Sequence, residues 1–156
     1  MTHEERKHGT VNQLIGAWEL VTWYETASTG EVRYPLGRNA IGQIIYTSDL
    51  RVSAQLVSMD QPHFQSEDWR EATQSESAQA WKKYFGYFGS FSIDLDKQAV
   101  IHHIEGSWFP NLQGTDQVRC FRLEGPQLVL DADTEWGRVH IVWKRIGATS
   151  PASSSA

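Results

Sequence analysis

The stretch GYFGSFSIDLDKQAVIHHIEGSWF, residues 86–109, decides the fold class. Its first half alternates. Tyr87, Gly89, Phe91, Ile93 and Leu95 fall on one face, with Phe88, Ser90, Ser92 and Asp94 on the other. A period of two is that of a β-strand, whose successive side chains leave opposite faces. The polar triplet Asp96-Lys97-Gln98 turns the chain back into AVIHHIEGSWF, a second strand, and the two form an antiparallel hairpin.

Outward from this hairpin the pattern repeats. AWELVTWYE (17–25) is a strand rich in β-branched and aromatic residues, ended by the turn STGE (28–31). GQIIYT (42–47) and RVSAQLV (51–57) precede the hairpin, and TDQVRCFRLEG (115–125), QLVLDAD (127–133) and GRVHIVWKRI (137–146) follow it. Short strands joined by tight turns predict an antiparallel sandwich or barrel. One helix interrupts them near residues 74–85. Thr73 and Glu76 form a capping-box pattern, Ala78, Trp81 and Phe85 recur at helical spacing, and Gly86 can end it. Residues 1–12 are polar and expected to be flexible, 13–147 to form the single barrel domain, and the small-residue tail 148–156 to be disordered.

Composition narrows the function classes. The net charge is −5, and the basic pairs Lys82-Lys83 and Lys144-Arg145 are isolated, so electrostatic binding to nucleic acid is not expected. No 18-residue apolar run or signal-peptide core occurs, so no membrane partner is expected. Cys120 is the one cysteine, which suits a reducing compartment, and a cytoplasmic protein is expected. Seven Trp, five Tyr and six Phe must line a core or a small-molecule cavity.

Gly16-Ala17-Trp18 opens the first strand and Arg145 closes the last. This pairing resembles the lipocalin signature, in which the Trp plugs the closed end of the barrel and the Arg lies across its ring, a cation–π contact. LIGAWELVTW, YPLGRNAIGQIIYT, VSAQL, YFGSFSID, HHIEGSWFPNLQGTDQVR and IVWKR, in this order from Leu14 to Ile146, resemble the small bacterial and fungal lipocalin-like domain family. The resemblance implies an all-β fold: a lipocalin-like antiparallel up-and-down barrel of about eight strands, with one helix inserted. It also implies a cytosolic single-domain protein, in a family some of whose members sit among natural-product biosynthesis genes. It leaves the activity open.

Within such a barrel His102 and His103 cannot both face inward. A sheet-borne zinc site needs His-x-His, which the chain lacks, so no metal and no cofactor is expected. The preferred register puts Val100, His102 and Ile104 inside, because the alternative buries Glu105. The partner strand then turns Gln117, Arg119, Phe121 and Leu123 inward and Cys120 outward. In the first strand Trp18, Leu20, Thr22 and Tyr24 are expected inside, with Glu19 and Glu25 outside. The candidate catalytic residues are His102, His103 and Arg119, a proton carrier and an oxyanion holder. The candidate ligand-binding residues are Tyr24, Tyr46, Gln55, Trp81, Phe85, Phe91, Trp108, Gln117 and Phe121. The expected function is binding of a small, mostly hydrophobic, oxygenated molecule, with a cofactor-free isomerisation, cyclisation, dehydration or C–C cleavage in view. A non-catalytic carrier or sensor is the alternative, and a solid barrel acting as an interaction module is a third reading. A monomer or homodimer serves any of these.

Overall fold

The computed structural model describes residues 1–147; the tail for which disorder is expected lies outside the described residues. Nine strands run β1 (Gly16–Ala27), β2 (Val32–Arg33), β3 (Ala40–Tyr46), β4 (Arg51–Ser58), β5 (Tyr84–Asp94), β6 (Ala99–Ser107), β7 (Asp116–Glu124), β8 (Gln127–Asp133) and β9 (Gly137–Arg145). Every pairing is antiparallel, in the order β2-β1-β3-β4-β5-β6-β7-β8-β9. The sheet closes because β1 also pairs with β9, from Trp18↔Arg145 to Ala27↔Gly137. Eight strands form the barrel wall and the two-residue β2 is an addition beside the end of β1. Closure removes the exposed edges that an open sheet would present.

The floor is built on Trp18, which is fully buried and donates its indole N–H to the Leu14 carbonyl at 2.9 Å. The Arg145 guanidinium lies 4.1 Å from the centroid of that ring and donates to the carbonyls of Ile15 (2.9 Å) and Gln13 (2.5 Å). Those carbonyls end the helix α1 (His3–Leu14), where a cation complements the helix dipole. Residues 3–14, which include most of the segment expected to be flexible, are helical. Thr2 and Glu5 form a reciprocal capping box, and Leu14 and Val11 pack on the core.

The inserted helix α2 runs Gln74–Lys82, with the Thr73–Glu76 capping box in place. It ends one turn earlier than expected, and Phe85 belongs to β5. The helical spacing of Phe85 is outweighed by its pairing with Leu56 of β4, since tertiary pairing overrides a weak local period.

Directly paired residues share a face, so the registers propagate inward and outward sets around the wall. Phe91↔His102, His102↔Gln117 and Val100↔Arg119 lie inside. So do Phe121↔Leu130, Leu130↔Ile141 and Ile141↔Trp23. The last pair corrects the first strand. The β1–β9 register shifts between Leu20 and Thr22, leaving Val21 as an extra residue, and such a bulge inverts the face of everything beyond it. Trp23 and Glu25 therefore point inward, while Thr22 and Tyr24 point outward.

Candidate ligand-binding site

The polar centre of the interior is His102. It is fully buried, with Nε2 2.7 Å from Tyr46 Oη on β3 and Nδ1 2.5 Å from Tyr87 Oη on β5. Phe91 packs edge-on against Tyr46, with centroids 4.9 Å apart. Burial, with the charge of Arg119 and then His103 adding to it, pulls the His102 imidazole down to about 3. Burial also raises both phenols, Tyr46 well above its ordinary value, so all three groups are neutral over the physiological range.

A neutral imidazole has one N–H and one bare nitrogen. One phenol must therefore donate to the bare nitrogen. The other accepts the N–H and keeps its own O–H for a further acceptor. Among the described residues, neither phenol has a hydrogen-bond partner besides His102. Arg119 faces the same interior from β7. Its guanidinium donates to the Val118 carbonyl at 3.2 Å and to Gln117 Oε1 at 3.5 Å, neither of which carries a charge. Gln117 in turn donates to Thr115 Oγ1 at 3.0 Å.

Above this array sits an aromatic cluster. Phe85 packs against Trp23 (5.2 Å), Trp108 (4.5 Å) and Tyr87 (5.5 Å), as ring-centroid distances. Phe121 lines the β7 wall, buried. At the rim, the inward Glu25 is held by Arg33 at 2.6 Å. That guanidinium also lies 3.8 Å from the ring of Trp136.

Four of the candidate site residues stand elsewhere. His103 is on the outer wall, with Nδ1 2.7 Å from Asp116 and Nε2 2.8 Å from Ser92 Oγ. Strand parity separates it from His102. Gln55 is exposed outside β4 and accepts from Tyr84 Oη at 2.6 Å. The Val21 bulge turns Tyr24 outward, where it stacks on His140 at 4.8 Å. Trp81 is half-exposed on α2 and donates to the Trp108 carbonyl at 3.2 Å. The structure brings together His102, Arg119, Tyr46, Phe85, Phe91, Trp108, Gln117 and Phe121. It adds two residues absent from the candidate set, Tyr87 and Trp23. The alternation of β5 already put Tyr87 on the face of Phe91. No local signal in β1 revealed Trp23.

A surface groove of about 850 Å³ lies outside the barrel between α1 and the floor, beside Val11, Ile15 and Leu50. It lacks the converging buried polar groups that mark a small-molecule site. A smaller cleft of about 290 Å³ opens in the outer wall between Gly86 and Gly106 and reaches Tyr87 and Trp108. Both of those residues belong to the interior array. Among the described residues, no group of three His, Cys, Asp or Glu side chains could hold a metal ion. No described helix is long and apolar enough to cross a membrane.

A closed antiparallel barrel, plugged by a tryptophan under an arginine and polar at its centre, defines a lipocalin-like protein. The chain belongs to the lipocalin-like domain family, which it matches over residues 15–146. One relative is the 4′-hydroxy-3′-methoxypropiophenone carrier protein ppsC of Aspergillus oryzae. The two are 31% identical over 85 residues, 51% of this chain and 77% of that protein. Among solved structures, a redesigned β-barrel aligns over 87% of this chain and 94% of its own, at a TM-score of 0.44 and 14% identity. The lipoprotein YedD of Klebsiella pneumoniae aligns over 91% and 79%, at a TM-score of 0.39 and 10% identity.

Proposed function

We propose that this protein is a carrier of a small, mostly apolar, oxygenated molecule. The ligand is held in the barrel interior with an oxygen against the Tyr46–His102–Tyr87 array and Arg119. The observation that carries this reading is His102, buried between two phenols of which one keeps a free O–H. A barrel meant only to be solid would fill this position with an aliphatic side chain, since a buried polar group that is not fully partnered is costly. Among the described residues Arg119 has no carboxylate partner, and its positive charge favours a phenolate, enolate or carboxylate over a neutral oxygen. The relative that carries an aryl ketone fits the same ligand chemistry.

The alternative, a cofactor-free rearrangement with His102 and Arg119 moving protons, has less support. An imidazole pulled down to about 3 is a weak base near neutral pH, and both phenols are raised away from acidity. The site donates hydrogen bonds without being poised to exchange protons.

The test is titration of tryptophan fluorescence with 4′-hydroxy-3′-methoxypropiophenone, followed by mass spectrometry of the recovered compound. The expected result is saturable quenching, recovery of intact ligand, and binding weakened about tenfold in Tyr46→Phe or Tyr87→Phe, the loss of one hydrogen bond. Absence of saturable binding for this and related aryl ketones would overturn the reading. Conversion of the compound would replace it with the catalytic one.

A further inference from the structure

Three buried indole N–H groups have no acceptor among the described residues: Trp23 Nε1, Trp108 Nε1 and Trp143 Nε1. Trp143 lies toward the floor, paired across the wall with Leu20 and Leu128. Trp23 and Trp108 lie at the opposite end, and both rings pack on Phe85. Phe85 in turn touches Tyr87, whose hydroxyl holds His102. The rings that carry the two orphan donors and the tyrosine that holds His102 all pack on one phenyl ring, that of Phe85. A buried N–H without an acceptor is costly and uncommon in native proteins, so it needs an explanation.

The donor inventory around this space is one-sided. Indole N–H and guanidinium donate and cannot accept, and one phenol retains an O–H to donate. The inward carboxylate, Glu25, is engaged by Arg33 at 2.6 Å. The Gln117 amide oxygen already faces Arg119. A polyol, sugar or amine would bring donors to a region that offers them few acceptors.

Resting on the carrier reading and deepening it, we infer that the ligand bears an acceptor oxygen at each end. One oxygen is set against Tyr46, Tyr87 and Arg119, and a second, a ketone or ether oxygen, accepts from the indole N–H groups of Trp23 and Trp108. A carbonyl oxygen has two lone pairs and can serve both indoles. The ligand class is thus an aryl ketone or alkoxyarene with its second oxygen across the ring from the carbonyl or ether group. The selective feature is the carbonyl or ether group at the Trp23–Trp108 end.

Calorimetric titration with 4′-hydroxypropiophenone and 4-propylphenol tests this, because the two probes differ by one carbonyl. Apolar burial alone favours 4-propylphenol, the less hydrated of the two. The expected result is that the wild-type protein binds the ketone about tenfold more tightly, the equivalent of one or two net hydrogen bonds. The Trp23→Phe/Trp108→Phe double variant loses that preference, binding the two probes with equal affinity or 4-propylphenol the more tightly. The single variants report which indole supplies more. The inference is overturned if the wild type binds both probes without preferring the ketone, a result that needs no variant to fold. It is equally overturned if the double variant keeps the preference. Binding of neither probe to the wild type defeats the carrier reading, and this inference with it.

Discussion

His102 and His103 share one strand and one side-chain chemistry, yet they do different work. His102 is fully buried, bridges two phenols and is held neutral. His103 is 38% exposed, and its partner Asp116 is 61% exposed, so their contact sits in water, where such polar contacts contribute little. A single step along a strand exchanges a core hydrogen-bond centre for wall decoration. Side-chain parity sets the role of each imidazole, and the residue type alone does not.

The contrast can be broken most severely by removing Val21. Its deletion abolishes the bulge in β1, so that either Trp23 and Glu25 leave the interior or the strand below must slip. The expected cost is more than about 4 kcal/mol, the range of mutations that disrupt a core, seen as loss of a cooperative urea transition. A transition at the wild-type midpoint would mean that the bulge does not set the inward face of β1.

Truncation at the two histidines compares them directly. His102→Ala leaves two buried phenols without a partner and opens a cavity, and should cost about 3–5 kcal/mol in urea unfolding. His103→Ala should cost about 0.5 kcal/mol or less. Similar costs for both would refute the assignment of inner and outer faces.

Acid sharpens the comparison further. The folded His102 sits at about 3, below its ordinary 6.5, so below pH 6.5 the unfolded chain binds a proton that the folded chain refuses. Stability from this group is therefore complete above pH 6.5 and is lost as pH falls toward 3. Between pH 6.5 and 4 the loss should be about 3 kcal/mol. His102→Gln, which keeps a donor and an acceptor without the titration, should flatten that part of the stability–pH curve.

The strands that carry the site from β5 to β7 were legible because their alternation is clean. Phe91, His102, Gln117, Arg119 and Phe121 occupy the inward face that their polar neighbours imply, and burying Glu105 would have been the alternative. The Trp18–Arg145 plug was legible through the resemblance of Gly16-Ala17-Trp18 and Arg145 to the lipocalin signature, and the two side chains do meet. Gln55 was placed in the site with no face assigned to it, and Trp81 from the helical spacing Ala78–Trp81–Phe85, a spacing that breaks because Phe85 belongs to β5.

The amino-acid sequence by itself determined the antiparallel strands and the face on which β5, β6 and β7 present their polar groups, because a two-residue period is a local property; that the strands close into a plugged barrel was what the resemblance to the lipocalin signature implied. Three features belonged to the tertiary structure alone. The Val21 bulge is a count of two residues against one across a strand pair, so it exists only once β9 is in place. The helix α1 depends on Leu14 and Val11 reaching the core and on Arg145 arriving from the far end of the chain, since a short helix gains most of its stability from what it packs on. The union of Tyr46, Tyr87 and His102 spans 56 residues of sequence between Tyr46 and His102. Closing the sheet is what brings those three strands around one point.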